Sequence, residues 1–308
     1  MSPAVDGLNL ISWTKDNRDF VEAKLLRDGA LLFRGFGSLA PSELERFIEA
    51  ISGEPLEYRE RSSPRHPVEG RIYSSTDYPA HQGIFFHNEN SYQHVWPMKI
   101  FFLCQTPAEC GGETPIADTR EVLRRLRSST VEGFARKGCM YVRNFHEHLG
   151  LSWQTVFQTD DRAAVEAYCR SAQIAFEWKH DDGLRTRAVR PAIATHPRTG
   201  ERTWFNHIAF FHVTTLEPSV RDGLRATMEE QDWPTNTYYG DGSPIEDEVL
   251  DEIRKAYGQA SVSFAWRRGD LLLLDNMLTA HSRTPYVGQR SILVGMSEPH
   301  GYRSSALI

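Results

Sequence analysis

The sequence predicts a mainly β fold with helical insertions, a sandwich or barrel built from many short strands. Three observations carry this reading. Short apolar runs recur along the chain, helical patterns interrupt them, and no regular βαβ rhythm emerges. The 308 residues fit one large domain, read here as 1–308, with core enough to fold without disulfides.

Residues 16–28 carry a helical pattern, and Ala30-Leu31-Leu32-Phe33-Arg34-Gly35-Phe36 reads as a buried strand that glycine ends. Pro41 to Ile51 fits a helix, with Pro in the first turn and Leu44, Phe47 and Ile48 at helical spacing. From 54 to 83 the chain is rich in Pro, Ser, Arg and Gly without a period, which suits a lid or binding loop. Strands are expected at Ile84-Phe85-Phe86, from Lys99 to Cys104 and near Met140-Tyr141-Val142. Helical patterns at about 118–135, 160–171 and 217–231 separate the later elements. His180 to Arg190, with Asp181, Asp182, Arg185, Arg187 and Arg190, reads as a second lid. Ser261 to Trp266 alternates, placing Val262, Phe264 and Trp266 on one face; Leu271 to Leu274 and Ser291 to Met296 follow as strands.

Composition narrows the partners. Hydrophobic residues make up 40% and charged residues 25%, ordinary for a soluble globular protein. A formal net charge of -6 and the lack of a basic stripe argue against nucleic acid. The arginines at 120, 124, 125 and 127 share a helical pattern with Glu121 and read as a solvated face. Cys104, Cys110, Cys139 and Cys169 show no CxxC spacing, so a reduced, cytoplasmic setting is the expectation. No signal-peptide pattern and no long apolar stretch is evident, so no membrane partner is expected. Oligomeric state is not legible.

The sharpest local feature is Phe86-His87-Asn88-Glu89-Asn90. Residues two apart on a strand face the same way, so His87 and Glu89 could point an imidazole and a carboxylate at one ion. Alone, the pair fits a hydrogen-bonded strand edge at least as well. Its partner lies far downstream, where the apolar run Leu271 to Leu274 leads through Asp275-Asn276 to His281, and then to Arg290. Two histidines and a carboxylate on separate strands make the facial triad of iron(II) oxygenases, with three adjacent positions left open. A zinc hydrolase would accept the same three ligands but has no need of the arginine. A metal-binding barrel protein without turnover also stays open.

Several segments stand in a recognisable order: His87-Asn88-Glu89-Asn90-Ser91-Tyr92, then Gly111-Gly112-Glu113-Thr114-Pro115-Ile116-Ala117-Asp118. Trp204-Phe205-Asn206-His207, Tyr238-Tyr239-Gly240-Asp241-Gly242-Ser243, and Asp275-Asn276 through Arg290 complete the set. In these the chain resembles the taurine dioxygenase / clavaminate synthase-like (TauD/TfdA) family of Fe(II)/2-oxoglutarate-dependent oxygenases, in its bacterial natural-product branch of amino-acid hydroxylases. The likeness runs from about residue 80 to the C-terminus and is weaker before it.

The resemblance implies a double-stranded β-helix (jelly-roll) barrel, with iron(II) held by His87, Glu89 and His281. It implies that Arg290 and Thr114 bind 2-oxoglutarate, the guanidinium meeting the distal carboxylate, with Arg283 the fallback for Arg290. With dioxygen as second co-substrate, the implied reaction hydroxylates an unactivated C–H and releases succinate and carbon dioxide. Desaturation, epoxidation or cyclisation would use the same site. Related halogenases carry a small residue at the ligand carboxylate, and Glu89 stands there here. Taurine dioxygenase has a sulfonate-holding arginine four residues past its co-substrate arginine; here that position is Val294. The expected substrate is amino-acid-like, free or tethered to a carrier protein as a thioester. Asn90, Asn206 and His207 are its expected contacts, the last two on an aromatic strand running to His212, with the 185, 187 and 190 arginines as a further carboxylate clamp. His146-Glu147-His148 repeats the ligand spacing without the glycine-rich turn and later threonine, and is read as a decoy. Trp153, Trp204, Trp233 and Trp266 are read as core or barrel wall.

Overall fold

The long apolar runs pair with one another. In the computed structural model, which describes residues 1–5, 7–57, 66–75, 78–146, 149–180 and 182–302, Val95–Thr106 lies inside a six-stranded sheet. Its order is Ala30–Phe33, Leu271–Asp275, Val95–Thr106, Ser291–Gly301, Ile72–Ser74, Pro67–Glu69, every pairing antiparallel. Alternate residues serve opposite faces. Phe101, Leu103, Leu271 and Leu273 pack outward against Leu25, Leu44 and Phe47 of two helices, Arg18–Asp28 and Pro41–Ser52. Phe102, Leu272, Leu274, Ile292 and Val294 face the other way and form a second buried cluster. A sheet covered on both faces reads as continuous apolar sequence, which is why these strands stand out.

A four-stranded sheet carries the metal motif, in the order Ser261–Val262, Ile116–Asp118, Thr279–Arg283, Ile84–His87. A further four-stranded sheet runs Thr235–Tyr239, Cys139–Phe145, Leu184–Arg190, Ala175–Trp178. Helices Thr119–Arg125, Ser128–Lys137 and Asp247–Ala260 pack near the second sheet. The chain is sheet-rich with inserted helices, the architecture expected.

Local chemistry sets the helix starts. Pro41 opens its helix, and Glu43 reaches back to accept the Ala40 N–H at 2.9 Å. Asp118 caps Thr119–Arg125, its carboxylate accepting the N–H groups of Arg120 and Glu121 and the Arg120 guanidinium at 2.7 Å. Asp118→Ala is expected to cost about 1–2 kcal/mol, read as a lower urea midpoint at an unchanged slope. Burial alone would raise the Asp118 pKa, but Arg120 brings it below the ordinary carboxylate range. The cap therefore stabilises fully above an unfolded pKa of about 3.9 and loses its contribution as pH falls through the lower folded value.

Several expectations need correction. The helical pattern at 16–28 is two helices, Leu10–Asp16 and Arg18–Asp28, and the one near 118–135 breaks where Leu126 and Arg127 are extended. The 54–83 segment includes the hairpin of Pro67–Glu69 and Ile72–Ser74; its positions 58–65 and 76–77 lie outside the described residues. The second expected lid is the strand Leu184–Arg190, and Asp181 lies outside the described residues. Its charges misled because two of them are buried and bonded: Arg185 donates to Asn144 Oδ1 at 2.8 Å and pairs with Asp232, while Arg190 donates to the Ala172 carbonyl at 2.7 Å. Arg187 lies 3.5 Å from Glu177. The expected strand at 261–266 pairs only over Ser261–Val262. Residues 208–211 form a short helix rather than strand.

Candidate metal centre

His87 ends the strand Ile84–His87, and His281 stands directly opposite it in the antiparallel register. Facing residues share a side of the sheet, so the imidazoles meet with ring centroids 4.3 Å apart. Glu89, two residues past His87, brings Oε2 to 3.8 Å from His281 Nε2. One ligand atom from each of the three lies within 4.8 Å of the others. Among the described residues, no other group of three or more His, Cys, Asp or Glu gathers this way. His87 Nδ1 lies 2.9 Å from the Phe85 carbonyl oxygen. A carbonyl only accepts, so Nδ1–H donates and Nε2 is left as the basic nitrogen, the tautomer a metal needs. Two imidazoles and a carboxylate, all buried, suit a divalent first-row metal.

Between the two sheets lies a cavity that His87 and His281 share with Ser75, Phe102, Thr114 and Arg290. The Arg290 side chain donates from Nε to the Gly112 carbonyl at 2.8 Å and reaches Thr114 Oγ1 at 3.5 Å. A Cβ on Gly112 (φ +73) would stand 3.0 Å from Arg290 Cδ, so glycine clears the guanidinium's path. Among the described residues no carboxylate pairs with Arg290. Burial first, then the charge of Arg283, pulls its pKa down to about 10, with Glu113 among the groups that offset this, so it stays a cation at neutral pH. Arg283, the fallback, lines the same cavity, but its guanidinium donates to the carbonyls of Tyr78, Pro79 and Gln82.

Trp266 adds a polar tip to the wall. Its indole Nε1 donates to Thr114 Oγ1 at 3.1 Å, so the threonine hydrogen is left for a further acceptor. Trp266→Phe keeps the ring and removes that donor. With Thr114 as the co-substrate contact that the resemblance implies, it would weaken 2-oxoglutarate binding by about 1 kcal/mol, seen as a higher KM for 2-oxoglutarate with kcat nearly unchanged; an unchanged KM would remove Trp266 from the account.

Residues 2–297 match the family described as "Taurine catabolism dioxygenase TauD, TfdA family". The chain belongs to this dioxygenase family. The dapdiamide synthesis protein DdaC of Enterobacter agglomerans is 40% identical over 279 residues, covering 91% of this chain and 85% of the relative. A clavaminate synthase-like protein of Arabidopsis thaliana is 29% identical, covering 92% and 85%. Among solved structures, PvcB of Pseudomonas aeruginosa superposes with a TM-score of 0.57 at 16% identity, over 96% of this chain and 83% of that one. It is described as an Fe, alpha-ketoglutarate dependent oxygenase from an isonitrile synthetic pathway. These likenesses bear out the jelly-roll fold.

The remaining expected contacts of this TauD-family chain separate. His207 lies in the wall behind the triad, 5.3 Å from His87 between ring centroids, its Nδ1 2.7 Å from Ser91 Oγ. Burial, then His87 and Arg143, push its pKa well below the ordinary histidine range. Asn206 is absorbed by the fold, its Nδ2 donating to the Ala192 carbonyl and its Oδ1 accepting the Ile208 N–H. Asn90 is buried with a left-handed backbone (φ 57) and borders a separate groove with Gln93, Trp96 and Glu298. The lid arginines lie in the third sheet. His146 Nε2 lies 2.9 Å from the Asp232 carbonyl, away from the triad, while Glu147 and His148 lie outside the described residues. Sequence reading missed the supporting roles of Ser75, Trp266 and Asn276; Asn276 stood inside a quoted motif but without a task.

Proposed function

We propose that this chain is an iron(II)- and 2-oxoglutarate-dependent dioxygenase that hydroxylates an unactivated C–H of an amino acid or amino-acid-derived metabolite in secondary metabolism. The reading covers a free substrate and one carried as a thioester. The observation that carries it is the half-buried Arg290 guanidinium, which forms no ion pair among the described residues, in the cavity that also receives His87 and His281. His87, Glu89 and His281 would hold the metal; Arg290 and Thr114 would hold the distal carboxylate of 2-oxoglutarate. When bound, iron with 2-oxoglutarate and dioxygen supplies the oxidation of C–H, releasing succinate and carbon dioxide.

The protein's own part is placement. Arg290 offers a planar, two-pronged fit to a carboxylate, and Thr114 a single donor beside it. Ile84, Phe102 and Ile292 line the same cavity and exclude water around the charged groups. Val294 is buried in the apolar cluster with Phe102 and Ile292, which leaves a sulfonate no arginine there and disfavours taurine. The natural-product reading is supported by the dapdiamide synthesis relative. The amino-acid reading is supported by the likeness to asparagine oxygenase, seen with 3-hydroxyasparagine and succinate, at a TM-score of 0.56 and 15% identity over 93% of this chain and 79% of that one.

The test is anaerobic titration of metal-free protein with iron(II), with and without 2-oxoglutarate. A visible charge-transfer band needing both supports the reading, and succinate release is then followed across amino acids and aminoacyl thioesters. Folded protein that gives no band counts against it and favours a zinc or binding role; a band with no substrate-dependent succinate from any substrate tried counts against the amino-acid substrate class.

A further inference from the structure

Asn276 is fully buried in the turn between Leu271–Asp275 and Thr279–Arg283, just ahead of His281. Its carboxamide is committed to the other half of the ligand set. Oδ1 accepts the Glu89 N–H at 2.8 Å; Nδ2 donates to the Glu89 carbonyl at 2.9 Å and to the Pro97 carbonyl at 2.8 Å. The backbone of Asn276 is held in turn: its carbonyl accepts Asn88 Nδ2 at 2.6 Å, and its N–H donates to the Met98 carbonyl at 2.8 Å. The turn is itself braced, because Asp275 Oδ1 accepts the N–H groups of Met277 and Leu278, both at 3.0 Å.

A carboxamide is suited to this place. It offers an acceptor and two donors in one plane, so a single uncharged side chain satisfies both the N–H and the C=O of a peptide unit. Glu89 stands two residues past His87, in the turn that follows the strand Ile84–His87. Asn276 braces that turn from the one that delivers His281. The two halves of the cluster are thus bolted together through Glu89's backbone.

We propose that Asn276 is a positioning residue for metal binding, acting through Glu89. The inference rests on His87, Glu89 and His281 being the metal ligands. Cobalt(II) titration followed by d–d absorption tests it on wild type, Asn276→Ala, Glu89→Ala and the double variant. Asn276→Ala is expected to weaken cobalt binding by about 10–100-fold, the range seen when an outer-shell partner is lost. The double variant is expected to bind no more weakly than Glu89→Ala alone, because the clamp has nothing left to position. Asn276→Asp keeps the volume, loses both donors, and is expected to behave like Asn276→Ala. Wild-type affinity in Asn276→Ala, or a double variant weaker by the full product of the two effects, overturns the inference alone. Failure of wild type to bind cobalt overturns the metal reading and this one with it. Hydrogen exchange of metal-free wild type keeps the test open should the variants not fold. The Glu89 amide is expected to be strongly protected before metal is added, and exchange at the rate of a free loop amide overturns the clamp.

Discussion

Arg290→Ala is expected to raise the KM for 2-oxoglutarate by about 30-fold to several thousand-fold, the 2–5 kcal/mol that loss of one partner of a buried charge pair costs. The reason is visible before any ligand binds. The guanidinium is half-buried beside a second arginine and has no carboxylate of the described residues within ion-pairing distance, and Glu113 offsets its desolvation only in part, so an incoming anion would meet a cation in need of one. Arg290→Lys should recover part of the loss: charge returns, but the two-pronged geometry and the Nε donation to Gly112 do not. Calorimetric titration of manganese-loaded protein with 2-oxoglutarate separates this from metal loss. Equal affinity in Arg290→Ala and wild type would mean that the co-substrate lies elsewhere.

Ala replacements at His87, Glu89 or His281 are expected to abolish turnover and to lower iron(II) affinity by more than the roughly 10–100-fold that an outer-shell change costs. Three ligands are few, and each removed leaves an ion that the remaining pair and water must hold. Glu89→Ala differs from the other two in removing the only negative charge of the cluster. His146→Ala is the matched control, since that ring meets the Asp232 carbonyl instead. The charge-transfer band should vanish in the three variants and persist in the control. A band that survives Ala at His281 would remove it from the ligand set.

The site was legible where local geometry does the work. His87 and Glu89 announce themselves through strand spacing and an apolar lead-in, and Arg290 through its place in an ordered set of segments. Other readings failed because polarity in sequence does not say what a side chain touches. Arg185 and Arg190 looked like a solvated lid, yet they are buried and bonded within a sheet. Asn206, an expected substrate contact, also holds the backbone with both ends of its amide, a task its polarity did not announce. The clamp of Asn276 on Glu89 joins positions 187 residues apart. No window of sequence contains both partners, so no spacing rule reaches it. The helix Asp247–Ala260 was missed for a different reason: its apolar stripe of Leu250, Ile253, Ala256 and Tyr257 is narrow and sits among many charges.

The pairing of His87 with His281 has a bearing on when the protein can acquire its metal. The first imidazole and the carboxylate leave the ribosome long before the second imidazole is made. Until the strand Thr279–Arg283 docks beside Ile84–His87, the early pair is only a weak two-point chelate. With His281 as a ligand, loading would wait on synthesis past the strand Thr279–Arg283 and on closure of a long loop, a slow kind of contact to form. A chain cut short before that strand would lack His281 and Arg290 together, and with them the proposed anchors of metal and co-substrate.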